Sequence, residues 1–109
     1  MFKQILALAY MRQIEAKSFV SKHKISKAYD KLWEGLDLVV GLEFDLYPEK
    51  KEQLMPLRLI LEKQQNTLIN RLNTHVFPNR NFDLSVESIK FWDCYHKTIQ
   101  EFKKLIGEK

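Results

Sequence analysis

The chain has 109 residues, 45% of them hydrophobic and 29% charged, which fits one domain with a substantial core and argues against intrinsic disorder. Three glycines and three prolines are too few for a turn-rich β-sandwich or small barrel, and the single cysteine, Cys94, excludes an intrachain disulfide. The net charge of +4 is basic but falls short of the excess typical of dedicated nucleic-acid binders. We therefore expect a single domain over residues 1–109.

The first predicted helix runs from about Phe2 to about Val20. Its apolar side chains repeat at helical spacing, yet several fall off the main stripe, so the helix is apolar on nearly all sides. Such a helix is either central in a bundle or half of an interface. The polar connection 21–24 ends this helix, and Ser26 is the predicted N-cap of the next one.

The second predicted helix, from about Lys27 to Val40, carries the most regular apolar stripe. Its stripe residues step by alternating fours and threes, the seam spacing of closely packed helices. They are Ile25, Tyr29, Leu32, Leu36 and Val39. Gly41 is predicted to stop the helix. Residues 42–47 then alternate apolar with acidic side chains, and because a lone strand would have no partner, we expect a helix extension or an extended connector there.

Two further helices complete the chain. A short turn is predicted over 48–54, with Pro56 near the start of the third helix, because a proline deep inside a helix costs roughly 3 kcal/mol. The clearest loop covers 76–81. The fourth helix is predicted to begin with Ser85 as N-cap and to end at Gly107. Four amphipathic helices joined by short loops predict an all-α, antiparallel four-helix bundle.

Basic side chains concentrate around the first inter-helix connection. This basic cluster consists of Lys17, Lys22, His23, Lys24, Lys27 and Lys31. It would suit phosphates or an acidic partner. However, lysine gives less oriented recognition than arginine, and an acidic belt over residues 34–52 would repel a long phosphate backbone. Nucleic acid is therefore an allowed but not a favoured partner.

Residue types with catalytic chemistry are sparse. The sequence has no Gly-rich phosphate loop, no HExxH motif and no cysteine pair, so we expect no metal, no cofactor and no small-molecule substrate. Arg71 and His75 are the exception, because residues four apart share a helical face. A histidine there can act as a general base, and an arginine can stabilise a phosphate under attack.

The Arg71–His75 pair resembles the motif of the HEPN ribonucleases, helical bundles that carry Arg, four to six residues, then His. In this chain only three residues intervene. The resemblance implies an RNA-binding or RNA-cleaving bundle that works without metal, with Arg71 and His75 at its site. From the residues alone, His75 also fits a cation near a helix C-terminus, with Arg71 flanking the core.

Apolar side chains that a four-helix core does not need lead to the favoured hypothesis. Clusters of such residues on a helix surface indicate an interface. The residues we assign to partner binding are Tyr10, Met11, Ile14 and Leu59. The sequence thus favours a non-enzymatic interaction protein, such as an inhibitor or immunity-type binder, a regulator or a small subunit of an assembly. Its partner would be another protein or a second copy, with no membrane involved, and we expect it in the cytoplasm.

Overall fold

The computed structural model describes residues 1–76 and 84–107, which form four α-helices in the predicted order. α1 spans Phe2–Ser21, α2 spans Ile25–Gly41, α3 spans Lys51–Val76 and α4 spans Leu84–Ile106. A π-helical turn (Leu42–Leu46) and a 3₁₀ turn (Pro48–Lys50) connect α2 to α3. The described ranges contain no strand, so the all-α prediction is confirmed. Apart from Val76, the loop predicted over 76–81 lies outside them.

The helices pack as a four-helix bundle. Each helix packs against the next one in the chain, α4 closes on α1, and α1 lies diagonally opposite α3. The core contains residues from the early part of each helix together with residues from the late part of its neighbours, so adjacent helices run antiparallel. This confirms the predicted architecture.

Several predicted helix ends are wrong by a few residues. Gly41 keeps right-handed helical angles (φ −60°, ψ −41°) and the chain continues into the π-helical turn, because this places Leu42 fully inside the core. α2 begins before Ser26 and α4 begins before Ser85, so both serines are helical residues rather than N-caps. α3 begins at Lys51, which leaves Pro56 in its second turn.

The core consists of two apolar clusters stacked along the bundle. The first cluster, at the end where α1 and α3 begin, comprises Leu6, Ala9, Leu36, Val39, Leu42, Leu54, Leu57, Leu61 and Phe102. The second cluster, where α2 and α4 begin, comprises Ala16, Val20, Ile25, Ala28, Leu32, Leu68, Phe91 and Tyr95. The stripe predicted on the second helix therefore faces the core, where Ile25, Leu32, Leu36 and Val39 are buried and Tyr29 is half-buried.

A polar layer separates the two clusters. Between the clusters lie the buried residues Gln13, Gly35, Gln64, Gln65 and Thr98. The Thr98 hydroxyl donates to the Cys94 carbonyl at 2.7 Å. In contrast, Nε2 of Gln13 and both amide atoms of Gln64 have no hydrogen-bond partner within the described part of the chain. Each unpaired buried amide costs about 1–3 kcal/mol, so the layer lowers the stability of the bundle.

We expect Gln64→Met to raise the free energy of unfolding by about 1–2 kcal/mol, because it keeps the side-chain length and removes two unpaired polar atoms. Urea unfolding followed by circular dichroism measures the change. Gln53→Met, the same substitution at an exposed position of α3, is the control and should change stability by less than about 0.5 kcal/mol. A destabilised Gln64→Met protein would contradict the unpaired state of this amide.

Candidate functional site

α1 carries a second seam that points away from the core. Its positions alternate steps of three and four residues, as in the contact seam of a coiled coil, and we call them the outer seam. They are Gln4, Ala7, Met11, Ile14, Ser18 and Ser21. None of these side chains is charged, and Met11 and Ile14 are 55% and 41% exposed. The buried side chains of α1 lie on the opposite side of the helix.

A groove runs beside the outer seam, between α1 and α2. It has a volume of about 430 Å³, and its apolar lining is formed by Leu8 and Leu38. Arg12, Lys31, Glu34 and Asp37 complete its walls. Leu8 is 38% exposed, which extends the accessible apolar surface of α1 toward α2.

An ion-pair network closes one wall of this groove. Arg12 lies 2.6 Å from Glu15 and 3.2 Å from Glu34, and Lys31 lies 3.1 Å from Glu15 and 3.4 Å from Glu34. The hydrogen bond from Lys31 lowers the pKa of Glu15, and the same bond raises the pKa of Lys31. The Glu15 contribution to stability is therefore present above the ordinary carboxyl pKa and is lost as the pH falls through the lowered value. These charges already have partners within the chain.

Tyr10 does not belong to the outer seam. Its ring is half-buried and meets Phe102 of α4 edge-on, with centroids 5.7 Å apart. Tyr10 thus packs on the first core cluster, which corrects its assignment as a spare apolar residue.

Leu59 lies on a different side of the molecule from Met11 and Ile14. It is 46% exposed on α3, the helix diagonal to α1. Exposed Met55 lies one turn before it. Phe44 covers the same end of α3, because the cations of Lys51 and Arg58 stand 5.1 and 5.7 Å from its ring centroid. The four predicted partner-binding residues therefore do not form one continuous surface.

The π-helical turn is anchored to α3 by an ion pair whose carboxylate is fully buried and whose guanidinium is partly exposed. Oε2 of Glu43, a fully buried residue, accepts a hydrogen bond from Nε of Arg58 at 2.6 Å. Arg58 also donates to Glu62 at 3.0 Å, and the bond to Glu43 raises the pKa of the guanidinium. Sequence reasoning missed this pair, because a single Glu in an alternating segment carries no sign that it will be buried.

We expect Arg58→Ala to lower the free energy of unfolding by about 3 kcal/mol, because it leaves the Glu43 carboxylate buried without its cation. Glu62→Ala breaks the exposed half of the same network and should cost less than about 1 kcal/mol. Urea unfolding of both variants tests this contrast. Equally small losses of unfolding free energy in both variants would show that the buried Glu43 carboxylate does not need the Arg58 cation.

The predicted basic cluster is centred on the connection between α1 and α2. His23 has a left-handed backbone (φ 58°), where glycine is usual, and it ends α1 in a Schellman arrangement. The Lys24 amide donates to the Phe19 carbonyl at 2.8 Å and the His23 amide to the Val20 carbonyl at 3.0 Å. His23, Lys24 and Lys27 line a shallow groove of about 460 Å³.

The basic cluster does not act as one surface. Lys31 is engaged in the ion-pair network described above. Lys17 points toward α4, where its ammonium stands 5.0 Å from the ring centroid of Tyr95 and 5.9 Å from that of Trp92. Lys27 stands 5.9 Å from the ring of Phe19. The cluster predicted from the sequence is therefore divided among three sides of α1 and α2.

The Arg71–His75 pair lies on the last two turns of α3. Arg71 is buried, with 7% of its surface exposed. The side chain of His75 lies outside the described part of the structure. The burial of Arg71 is compatible with the interpretation in which this arginine flanks the core, and a role of the pair in RNA cleavage stays a prediction.

Within residues 1–76 and 84–107, no group of three or more His, Cys, Asp or Glu side chains is arranged to hold a metal ion. None of the described helices combines the length and the hydropathy needed to cross a bilayer. No protein-family model, no curated protein and no solved structure matches this chain.

Proposed function

We propose that this protein is a non-enzymatic interaction module that binds another helix through the outer seam of α1. The observation that carries this proposal is the exposure of Met11 and Ile14 on a seam without charges. α1 already buries Leu6, Ala9 and Val20 on its opposite side. The exposed side chains of the outer seam are therefore not needed for the fold of the monomer.

The chemistry of the seam suits a helical partner. Alternating three- and four-residue spacing is the pattern by which one helix inserts its side chains between those of another. Small residues, Ala7 and Ser18, flank the large pair and allow two helices to approach closely. Met11 adds a flexible, polarizable contact of the kind common at adaptable interfaces.

We expect Ile14→Asp to reduce the native mass of the protein in an extract of its own cells to that of the monomer, because a carboxylate would be desolvated in the contact. Gel filtration with detection of a terminal tag measures this mass, and circular dichroism should show unchanged helicity. Ile89→Asp, the same substitution at a 61% exposed position of α4, is the control and should keep the complex. A complex of unchanged mass with Ile14→Asp would contradict the proposal.

One observation favours nucleic-acid binding as a second candidate function, on the seam between α1 and α4. Lys3 and Lys17 of α1 reach toward α4, where Trp92, His96 and Lys103 share a face. These five residues lie within the described helices, and none of them is acidic. Lysines beside a partly exposed indole are the elements from which single-stranded nucleic acids are bound, by phosphate attraction and base stacking.

For this second function we expect oligouridine of about 12 nucleotides to quench the fluorescence of Trp92, with an affinity that falls steeply with salt. Trp33→Phe is the background, because it leaves Trp92 as the single indole. Lys103→Glu should weaken binding severalfold, whereas Lys63→Glu on α3, with the same change of charge, should not. Equal losses in both variants would indicate an effect of net charge alone.

The ribonuclease alternative receives less support than helix binding or nucleic-acid binding. It requires the guanidinium of Arg71 to contact a phosphodiester, and this residue is buried. Cleavage of labelled RNA by the wild-type protein but not by His75→Ala would restore it.

A further inference from the structure

We infer that the helix bound by the outer seam is α1 of a second copy, packed antiparallel about a twofold axis that passes between Arg12 and Gln13. This inference rests on the proposed function and names its partner. It follows from the order of side chains along the seam, their exposure, and the point at which α1 ends.

The outer seam is complementary to itself when it is reversed. An antiparallel twofold pairing places Met11 against Ile14 of the other copy, and both side chains are large, apolar and exposed. The same pairing places Ala7 against Ser18, both small, and Gln4 against Ser21, both polar and uncharged. Large residues therefore meet at the centre, small residues lie on either side, and polar residues lie at the ends. Closed twofold contacts of this kind are the commonest form of self-association.

The flanking charges favour the antiparallel arrangement over a parallel one. In a parallel pair, Lys17 of one copy would face Lys22 of the other on both sides of the seam, which is repulsive. In the antiparallel pair, Lys17 of one copy instead lies beside the half-buried ring of Tyr10 of the other, a contact compatible with a cation–π interaction.

The end of α1 removes a further repulsion. A continuous helix would bring Lys24 close to Lys3 of the other copy in the antiparallel pair. However, the left-handed turn at His23 ends the helix and directs Lys24 into α2. The seam thus ends at Ser21, the last residue that the antiparallel pairing uses.

Disulfide trapping tests the predicted register. In a Cys94→Ala background, Ala7→Cys and Ser18→Cys are purified separately, one of them carrying a size tag, and mixed in a glutathione redox buffer. We expect the mixture to form severalfold more disulfide-linked dimer than either variant alone. The reason is that residue 7 of one copy meets residue 18 of the other, whereas neither position meets its own counterpart. In the antiparallel pair, two copies of residue 7 lie about 16 Å apart along the axis, too far for a disulfide.

Two further variants show that the crosslink depends on the seam. Adding Ile14→Asp to both proteins should abolish the crosslink, whereas adding Ile89→Asp should leave it unchanged. Self-linking of Ala7→Cys alone, equal to that of the mixture, would indicate a parallel or random encounter and overturn the inference.

Light scattering on the purified wild-type protein separates this inference from the proposed function. We expect twice the monomer mass for the wild-type protein and the monomer mass for Ile14→Asp. A purified monomer without the crosslink overturns self-pairing. If the purified protein is a monomer but a complex in cell extracts still depends on Ile14, the proposed function stands without self-pairing. If no such complex exists either, the proposed function is also overturned.

Discussion

The close approach of α1 to α2 determines how the rest of the molecule is arranged. A Cβ added to Gly35 would lie 3.5 Å from the Ala9 carbonyl oxygen and 3.6 Å from Cβ of Arg12, so the two helices pack at van der Waals distance where the side chains are smallest. Ala9 and Ala16 of α1 are almost completely buried. Once the small residues of α1 face inward, helical geometry points Met11 and Ile14 outward. The orientation of one helix therefore creates the surface on which the proposed function depends.

The polar layer shows that this bundle is not built for maximal stability. Gln13 and Gln64 are as deeply buried as the leucines around them, yet Nε2 of Gln13 and both amide atoms of Gln64 lack partners among the described residues. Polar side chains at core positions are known to fix the register of packed helices at a cost in stability. Here the layer lies where one apolar cluster ends and the other begins, so a shift of α1 or α3 by one turn would place an amide among apolar side chains.

Electrostatics divide the surface of α1 into two unlike sides. On the side facing α2, Arg12 and Glu15 form a compact network with Lys31 and Glu34, whose charges balance. On the side facing α4, the ammonium of Lys17 lies 5.9 Å from the ring centroid of Trp92 and 5.0 Å from that of Tyr95. The uncharged outer seam lies between these two sides. A charge count along the sequence treats all these lysines alike, whereas their neighbours give them different roles.

The sequence by itself determined the helical class, the number of helices and most of the core, because apolar spacing along a helix is a local property. Leu32, Leu36 and Val39 were all predicted on a stripe that turned out to be buried. Of the candidate site, Met11 and Ile14 were identified by their position off the stripe. The regular outer seam was not, because its other members are small or polar.

Only the tertiary structure decided which residues lie near each other across helices. It placed Leu59 diagonally opposite the outer seam, packed Tyr10 on Phe102, buried Glu43 against Arg58, and carried α2 past Gly41. Each of these outcomes depends on the packing of one helix against another. Side-chain spacing along a single helix does not contain that information, because it sets the direction of a side chain but not the neighbour that it meets.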